Sequence, residues 1–331
     1  MKLLFLFTFL NIAFLNAEER PNLIGKELVD YINQSNVTFK AQEYLRFKNL
    51  SIDQLKRFTG AVLDIKDLKR IAEKKSAVDS GTVQDDLPKN FDVWDKWPEC
   101  AGVFTNIQDQ SNCGSCYATS IAGALSDRRC ITSNATKKMP LSAWDIASCC
   151  TWCHLVPWNG CDGGYPARVY KWFRTVGVVS GGPYKTINCC MPYGIAPHAT
   201  KSHRPTCSQT CQLSYKVSYE EDKRKGGDFR YFILDNYEVM KELNVNGPVT
   251  AVFMVFSDFM HYKSGIYKHV AGLPVGLHSV RIVGYGTDEN NVDFWRVANS
   301  WSTGFGENGM FRIRRGHNDC GFESYIIGGA V

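Results

Sequence analysis

Thirteen cysteines, all between Cys100 and Cys320, constrain this 331-residue chain more than any other feature of its sequence. In a secreted chain such a density reads as a disulfide framework, whereas in a reducing compartment it points to metal binding or catalysis. The N terminus decides between the two. Residues 1–17, MKLLFLFTFLNIAFLNA, place Lys2 before an apolar run that ends on a small residue, and Glu18-Glu19-Arg20 follows. That is the layout of a signal peptide, and the run falls short of the ~20 apolar residues of a spanning helix. The sequence therefore predicts a product of the secretory route, lysosomal or extracellular, with no membrane anchor. Sequons beginning at Asn33, Asn36, Asn49 and Asn134 are compatible with glycosylation on that route.

The cysteine-free stretch before Cys100 has its own texture. Residues 22–70 read as helical, with Leu28, Tyr31 and Ile32 on one face and Leu55 and Phe58 on a short amphipathic stretch after Ser51. Residues 72–86, AEKKSAVDSGTVQDD, are polar and broken by Ser-Gly, which predicts an exposed linker open to proteolysis and a processing boundary near Leu87-Pro88. Three segments result: a signal peptide over 1–17, a pro-region over 18–86, and a domain over 87–331.

Within that domain, Ser115 is placed to cap a helix that Cys116 opens and that carries Tyr117, Ile121 and Leu125 on one face. A second amphipathic helix is expected near Ala167–Thr175, after an irregular stretch rich in cysteine and glycine. Past about Thr250 the runs TAVFMVF, SVRIVGY, DFWRVA and GMFRIRR, separated by turn residues, read as strands. Helices over roughly 100–250 and strands over roughly 250–331 predict an α+β domain of two lobes. The net charge of +5 is scattered among acidic residues rather than gathered into a stripe, so nothing marks a nucleic-acid partner.

A thiol attacks only as thiolate, and a helix N-terminus together with a histidine lowers the cost of that form. Cys116 has the helix by position. It stands in Gln108-Asp109-Gln110-Ser111-Asn112-Cys113-Gly114-Ser115-Cys116-Tyr117, and far downstream lie Gly276-Leu277-His278-Ser279-Val280 and Val297-Ala298-Asn299-Ser300-Trp301. A lone cysteine or histidine is more often a buried core residue than a catalyst. Four motif residues in this order, Gln110, Cys116, His278 and Asn299, resemble the papain-like cysteine proteases, closest to the cathepsin B branch.

The resemblance runs from about residue 22 to the end, and also covers Asn159-Gly160-Cys161-Asp162-Gly163-Gly164-Tyr165-Pro166 and Asn246-Gly247-Pro248. It implies a two-lobed fold with a helical lobe, a β-barrel-like lobe and the active-site cleft between them. It further implies Cys116 as nucleophile, His278 as base, Asn299 orienting the imidazole, Trp301 shielding that contact, and Gln110 donating to the oxyanion. Gly163 and Gly164 would bind the substrate backbone, and Val275, Ser279 and Tyr325 would line the second specificity pocket. Tyr325 stands where the family branch carries a glutamate, which implies apolar or aromatic residues at P2 instead of arginine. The chemistry needs no cofactor and no metal. Protein and peptide substrates, the chain's own pro-region as intramolecular inhibitor with Phe58-Thr59-Gly60 crossing the cleft, and cystatin-like inhibitors are the implied partners.

Family pairings carried onto this chain join Cys100 to Cys130, Cys113 to Cys161, Cys149 to Cys207, Cys150 to Cys153 and Cys190 to Cys211, leaving Cys116, Cys189 and Cys320. Departures are informative as well. The branch carries a loop with two adjacent histidines that hold a substrate's C-terminal carboxylate; here only the separated His198 and His203 remain, anchored if at all by Asp109, which implies endopeptidase rather than dipeptidyl-carboxypeptidase action. Tyr117, Ser111 and Leu277 replace a usual Trp, Gly and Gly. The remaining histidines, at 154, 198, 203, 261, 269 and 317, read mostly as surface residues. Two kinds of rival reading stand beside this one: Cys150-Thr151-Trp152-Cys153-His154 matches a haem-attachment pattern and Cys149, Cys150, Cys153 and His154 could hold a structural zinc, while a silent papain-fold binding homologue would keep the scaffold without turnover.

Overall fold

The computed structural model describes residues 21–76 and 87–331; the signal peptide and the second part of the linker lie outside the described residues. The axis of the larger lobe is β8 (Pro274–Thr287), whose run from His278 to Gly286 is buried without a break. Such a strand needs neighbours on both edges and cover on both faces. It pairs antiparallel with β6 (Val249–Phe256) and β9 (Asp293–Ala298), and the two-residue β2 (Phe91–Asp92) joins it at Tyr285.

The sheet continues outward in one direction through β10 (Met310–Arg314), β7 (Tyr262–Tyr267) and β1 (Phe39–Ala41), and in the other through β11 (Ile326–Gly329) and β5 (Phe229–Phe232). Among the described strands of this sheet, β7 and β10 run parallel and the other pairs are antiparallel. The expected division near residue 250 is thus corrected: β2 and β5 precede it, and the pro-region itself contributes an edge strand. The smaller lobe holds a hairpin of β3 (His154–Val156) and β4 (Asn159–Gly164) among helices.

At its centre the helix Cys116–Thr132 is buried on nearly every face, the state of a core helix rather than an amphipathic one. Its polar residues are consumed in joining the lobes. Asp127 meets Arg281 of β8 at 2.6 Å, and Arg128 meets Glu242 at 2.8 Å while also donating to the carbonyls of Pro248 and Gly329. Buried pairs of this kind add little net stability but fix one arrangement, because breaking either side strands a charge. Ser115 stands at the N-cap without capping: its hydroxyl bonds Tyr193 Oη at 2.6 Å instead.

All five implied disulfides form. Cys150 and Cys153 pair with each other, which removes the thiols that a haem or zinc reading requires. Cys116 and Cys189 are buried, whereas Cys320 is half-buried. The histidine expectation is also corrected: His154 and His261 are buried and His269 nearly so, leaving His198, His203 and His317 at the surface.

The pro-region is less helical than its sequence suggests. Gly25–Gln34 is a helix, but its buried face is Leu28, Val29 and Ile32, while Tyr31 is exposed. Residues 39–41 alternate buried, exposed, buried and extend the sheet, as the Val37-Thr38-Phe39 run favours. Ser51 and Gln54 close a capping box around one helical turn. Residues 59–63 are extended, and the helix Ile65–Ser76 runs into the expected linker because Asp67 and Ile71 bury against the peptidase domain. No helix among the described residues is long and apolar enough to cross a membrane.

Candidate active site

Cys116 opens the central helix, where the exposed N–H dipoles of the first turn favour a negative charge. Ser120, one turn on, donates to the Cys116 carbonyl at 2.8 Å and shares a 2.7 Å hydrogen bond with Ser279, so the helix start is tied directly to the β8 residue beside His278. His278 Nε2 lies 2.8 Å from Asn299 Oδ1, and Nδ1 has no hydrogen-bond partner. Trp301 tilts over the imidazole with ring centroids 4.8 Å apart, and Phe253 meets it edge-on. This packing keeps water from the His278–Asn299 bond.

Gln110 is fully buried. Its Oε1 accepts from Ser300 Oγ at 2.6 Å, and its Nε2 donates to the Cys113 carbonyl at 2.8 Å and to the Phe58 carbonyl at 3.2 Å. Trp301 Nε1 donates to the same Phe58 oxygen at 2.9 Å. A peptide carbonyl of the pro-region is therefore held by the side-chain amide to which the family resemblance gives the oxyanion role.

The next residues of the pro-region lie across the cleft. Gly60 and Ala61 donate to the Leu277 carbonyl, each at 3.0 Å; Gly164 donates to Gly60 at 2.8 Å, and Val62 donates to Gly164 at 2.9 Å. Ala61 and Gly164 form a parallel bridge. Gly163 has a positive φ of 101°, and a Cβ there would come within 2.8 Å of the Gly60 carbonyl; at Gly164 it would meet Cys153 and the Tyr117 ring at 2.6 Å. Only glycines let a backbone approach so closely. Tyr117 has a positioning role here, its hydroxyl donating to the Gly160 carbonyl at 3.2 Å.

Burial under the pro-region sets the protonation of the pair. The Cys116 thiol is pushed up to about 12 by desolvation, partly opposed by backbone N–H groups that include Ser279 and Ala61. Desolvation pushes His278 down to about 4 against the Asn299 hydrogen bond. Both groups are thus neutral across the ordinary pH range in this form.

The two loop histidines separate. His198 is exposed, with its backbone N–H donating to Asp109 Oδ2 at 3.1 Å and its ring Nδ1 at 3.6 Å, while His203 packs edge-on against Trp144. Val275, Ser279 and Tyr325 are all buried, with Val252 opposite Ser279 in the sheet and donating its N–H to the Tyr325 carbonyl at 3.0 Å. Leu277 lies half-buried against the helical-lobe core. Three residues absent from the sequence reading also contact this region: Arg46, which pairs with Asp109, and Asp67 with Tyr231. Their only signal is contact across long sequence separation.

Residues 87–330 match the family description "Papain family cysteine protease". The chain belongs to the papain family. It is 37% identical over 330 residues to cathepsin B-like cysteine proteinase 1 of Ostertagia ostertagi, covering 95% of this chain and 92% of that protein. It is 39% identical to cathepsin B-like cysteine proteinase 2 of Haemonchus contortus, covering 95% and 90%. Among solved structures, procathepsin B S9 of Trypanosoma congolense superposes with a TM-score of 0.76 at 32% identity, covering 93% of this chain and 98% of that one. The chain is a cathepsin B-like cysteine peptidase of the papain family, with the α+β fold of the procathepsins.

Proposed function

We propose that residues 18–86 hold a cysteine endopeptidase latent and that residues 87–331, once released, hydrolyse internal peptide bonds through Cys116 and His278. With the cover gone, the helix N-terminus and the rehydrated imidazole support a thiolate–imidazolium pair. The thiolate attacks the scissile carbonyl carbon; Gln110 Nε2 and a backbone N–H, that of Cys116, receive the oxyanion. The His278 imidazolium gives its proton to the leaving amine, and as neutral imidazole it then takes a proton from the water that cleaves the thioester. Asn299 fixes the ring through Nε2, and Trp301 keeps that bond dry.

One observation carries this reading: the Phe58 carbonyl occupies the Gln110 donor while Gly60–Val62 pairs with Gly164 above a buried Cys116. A polypeptide segment already lies along the cleft, hydrogen-bonded to Gly164 and packed close against Gly163, and we assign the second specificity pocket to Val275, Ser279 and Tyr325. An uncharged tyrosine at its floor supports apolar or aromatic residues at P2 over arginine. The separation of His198 from His203 supports endopeptidase rather than dipeptidyl-carboxypeptidase action. Cystatin-like inhibitors fit the same cleft, and the signal peptide supports a lysosomal or extracellular address.

The test is hydrolysis of an internally quenched peptide by acid-activated protein, with Phe or Arg at P2, by wild type and Cys116→Ala. Thiol-dependent cleavage that prefers Phe and vanishes in the variant is expected. Verified removal of the pro-region without any cleavage would instead identify a silent binding homologue.

A further inference from the structure

The hairpin of β3 and β4 carries its apolar residues outward. Leu155, Val156, Pro157 and Trp158 are four exposed residues in a row, and Trp152 just before the hairpin is exposed too. Strand alternation would turn every second one of these inward, but here both faces of the tip stand free of the domain. Val156 pairs with Asn159, so Pro157 and Trp158 form a two-residue turn, and Trp158 has a φ of 66°. A turn that starts on proline takes glycine or asparagine at that second position, and a bulky side chain there is held under strain. A tryptophan that is 62% exposed and strained contributes nothing to the core, so folding does not account for it.

Two arginines bind the backbone of this apolar tip. Arg204 donates to the carbonyls of Trp158 at 2.7 Å and Pro157 at 3.4 Å; Arg168 donates to that of Trp152 at 3.1 Å while lying over the Tyr165 ring at 3.7 Å. Contacts with carbonyls and a ring leave both charges uncancelled. Exposed Lys201 and Lys171 stand near them along the chain, while the opposing charge on the hairpin is Asp162, exposed and accepting from Asn159. Among the described residues, the carboxylate paired with Arg168 is Asp64 of the pro-region, 4.0 Å away, and it leaves on activation.

We propose that this hairpin is a membrane-docking surface whose partner is the face of a bilayer containing anionic phospholipids. Trp158, Leu155 and Val156 enter the boundary between headgroups and acyl chains, where tryptophan is most favourably placed, and Arg204 and Arg168 lie at the level of the lipid phosphates. A layered partner, apolar beneath an anionic skin, matches a tip with apolar residues on both faces and cations against its backbone. A protein groove would have to enclose both faces at once. Such docking does not depend on the protease chemistry, and the departure of Asp64 makes the released domain the tighter binder.

The experiment is co-sedimentation of the precursor and of the activated protein at neutral pH with vesicles of phosphatidylcholine, alone or mixed with phosphatidylserine. Activated wild type is expected to bind the mixed vesicles at least about tenfold more tightly than the neutral ones, about threefold more tightly than the precursor does, and to be released by raised salt. Trp158→Gly suits the left-handed turn, so this variant keeps the hairpin, and it is expected to bind the mixed vesicles about tenfold more weakly. Arg204→Gln is expected to lose about fivefold. Equal binding to both kinds of vesicle, or no loss in Trp158→Gly, overturns the proposal. Absence of binding overturns it as well, and self-association of the wild type that Trp158→Gly abolishes would then assign the hairpin to a second copy of the chain.

Discussion

Arg46 of the pro-region and Asp109 of the peptidase domain form an ion pair at 2.8 Å with both side chains largely buried. The other Arg46 nitrogen donates to the Trp301 carbonyl at 2.5 Å, so one guanidinium bridges the loop before Cys116 and the segment that shields His278. Asp109 also receives the backbone N–H groups of Ser111 and His198, which ties the altered loop to the same carboxylate. Removing one member of a buried pair costs on the order of 3 kcal/mol, because the other is left uncompensated. The Arg46→Ala precursor is therefore expected to convert to mature enzyme at least about tenfold faster than wild type at the same pH. A time course of conversion followed by gel and by activity checks this, and equal rates would remove Arg46 from the docking contacts.

A second expectation concerns Cys116 itself. With burial under the pro-region pushing its thiol up to about 12, Cys116 is almost entirely thiol at neutral pH, and the neutral His278 supplies no counter-charge. Iodoacetamide at neutral pH should leave Cys116 unmodified in the intact precursor and alkylate it at least about a hundredfold faster after activation. Peptide mapping by mass spectrometry separates this site from Cys189 and Cys320. Similar rates in the two forms would mean that the pro-region blocks access to substrates without neutralising the pair.

Much of this site is legible in the sequence because its chemistry is bound to local pattern. Cys116 needs a helix start, His278 and Asn299 need strand positions that packing can hold, and each carries its own motif. The strands after residue 250 are apolar runs cut by turn residues, a pattern that can be read directly. What escapes is decided by contacts between distant segments. Tyr31 satisfies a helical face on paper, but Val29 is the residue that meets the core. The helix Ile65–Ser76 runs past residue 72, where the sequence reads as linker, and what docks it is Asp67 meeting Tyr231, a partner 164 residues away. Ser115 has the right residue type for a cap, yet Tyr193 offers its hydroxyl a buried partner that wins. Gly164 lies in a stretch that reads as irregular, and its pairing with Val62 emerges only once the two segments meet.

Asp67 makes acid release of the pro-region harder, not easier. Burial raises its carboxyl above the ordinary value, with the Tyr231 hydrogen bond opposing and Asp64 reinforcing the rise. A group whose docked pKa is raised binds its proton more tightly when docked, so its contribution to docking is fullest at low pH and is lost as pH climbs through the docked value. Asparagine keeps the acceptor for Tyr231 without the charge. The Asp67→Asn precursor should therefore activate more slowly than wild type near neutrality, with the two rates converging at about pH 4 and below. Activation rates measured from acid to neutral pH test the sign, and an Asn variant that activates faster at neutrality would reverse it.

Gly60 isolates the pro-region's fit from the chemistry beneath it. A Cβ at this position would lie 2.1 Å from the Gly114 carbonyl oxygen and 2.6 Å from its carbon, and a backbone neighbour cannot swing aside as a side chain can. Gly114 in turn faces the Thr59 carbonyl, so the two segments approach backbone to backbone just before Cys116. Gly60→Ala must lift the segment and lengthen the bonds to Leu277 and Gly164, at a cost of about 1 to 3 kcal/mol by analogy with overpacked cores. Freshly purified, uncleaved Gly60→Ala precursor is expected to hydrolyse a small peptide substrate about tenfold faster than the wild-type precursor. Once activated, the two enzymes should have the same kcat/KM, because residue 60 is gone from both. A difference that persisted after activation would place the defect in folding of the peptidase domain, and an unchanged precursor would show that the segment can shift along the cleft without opening it.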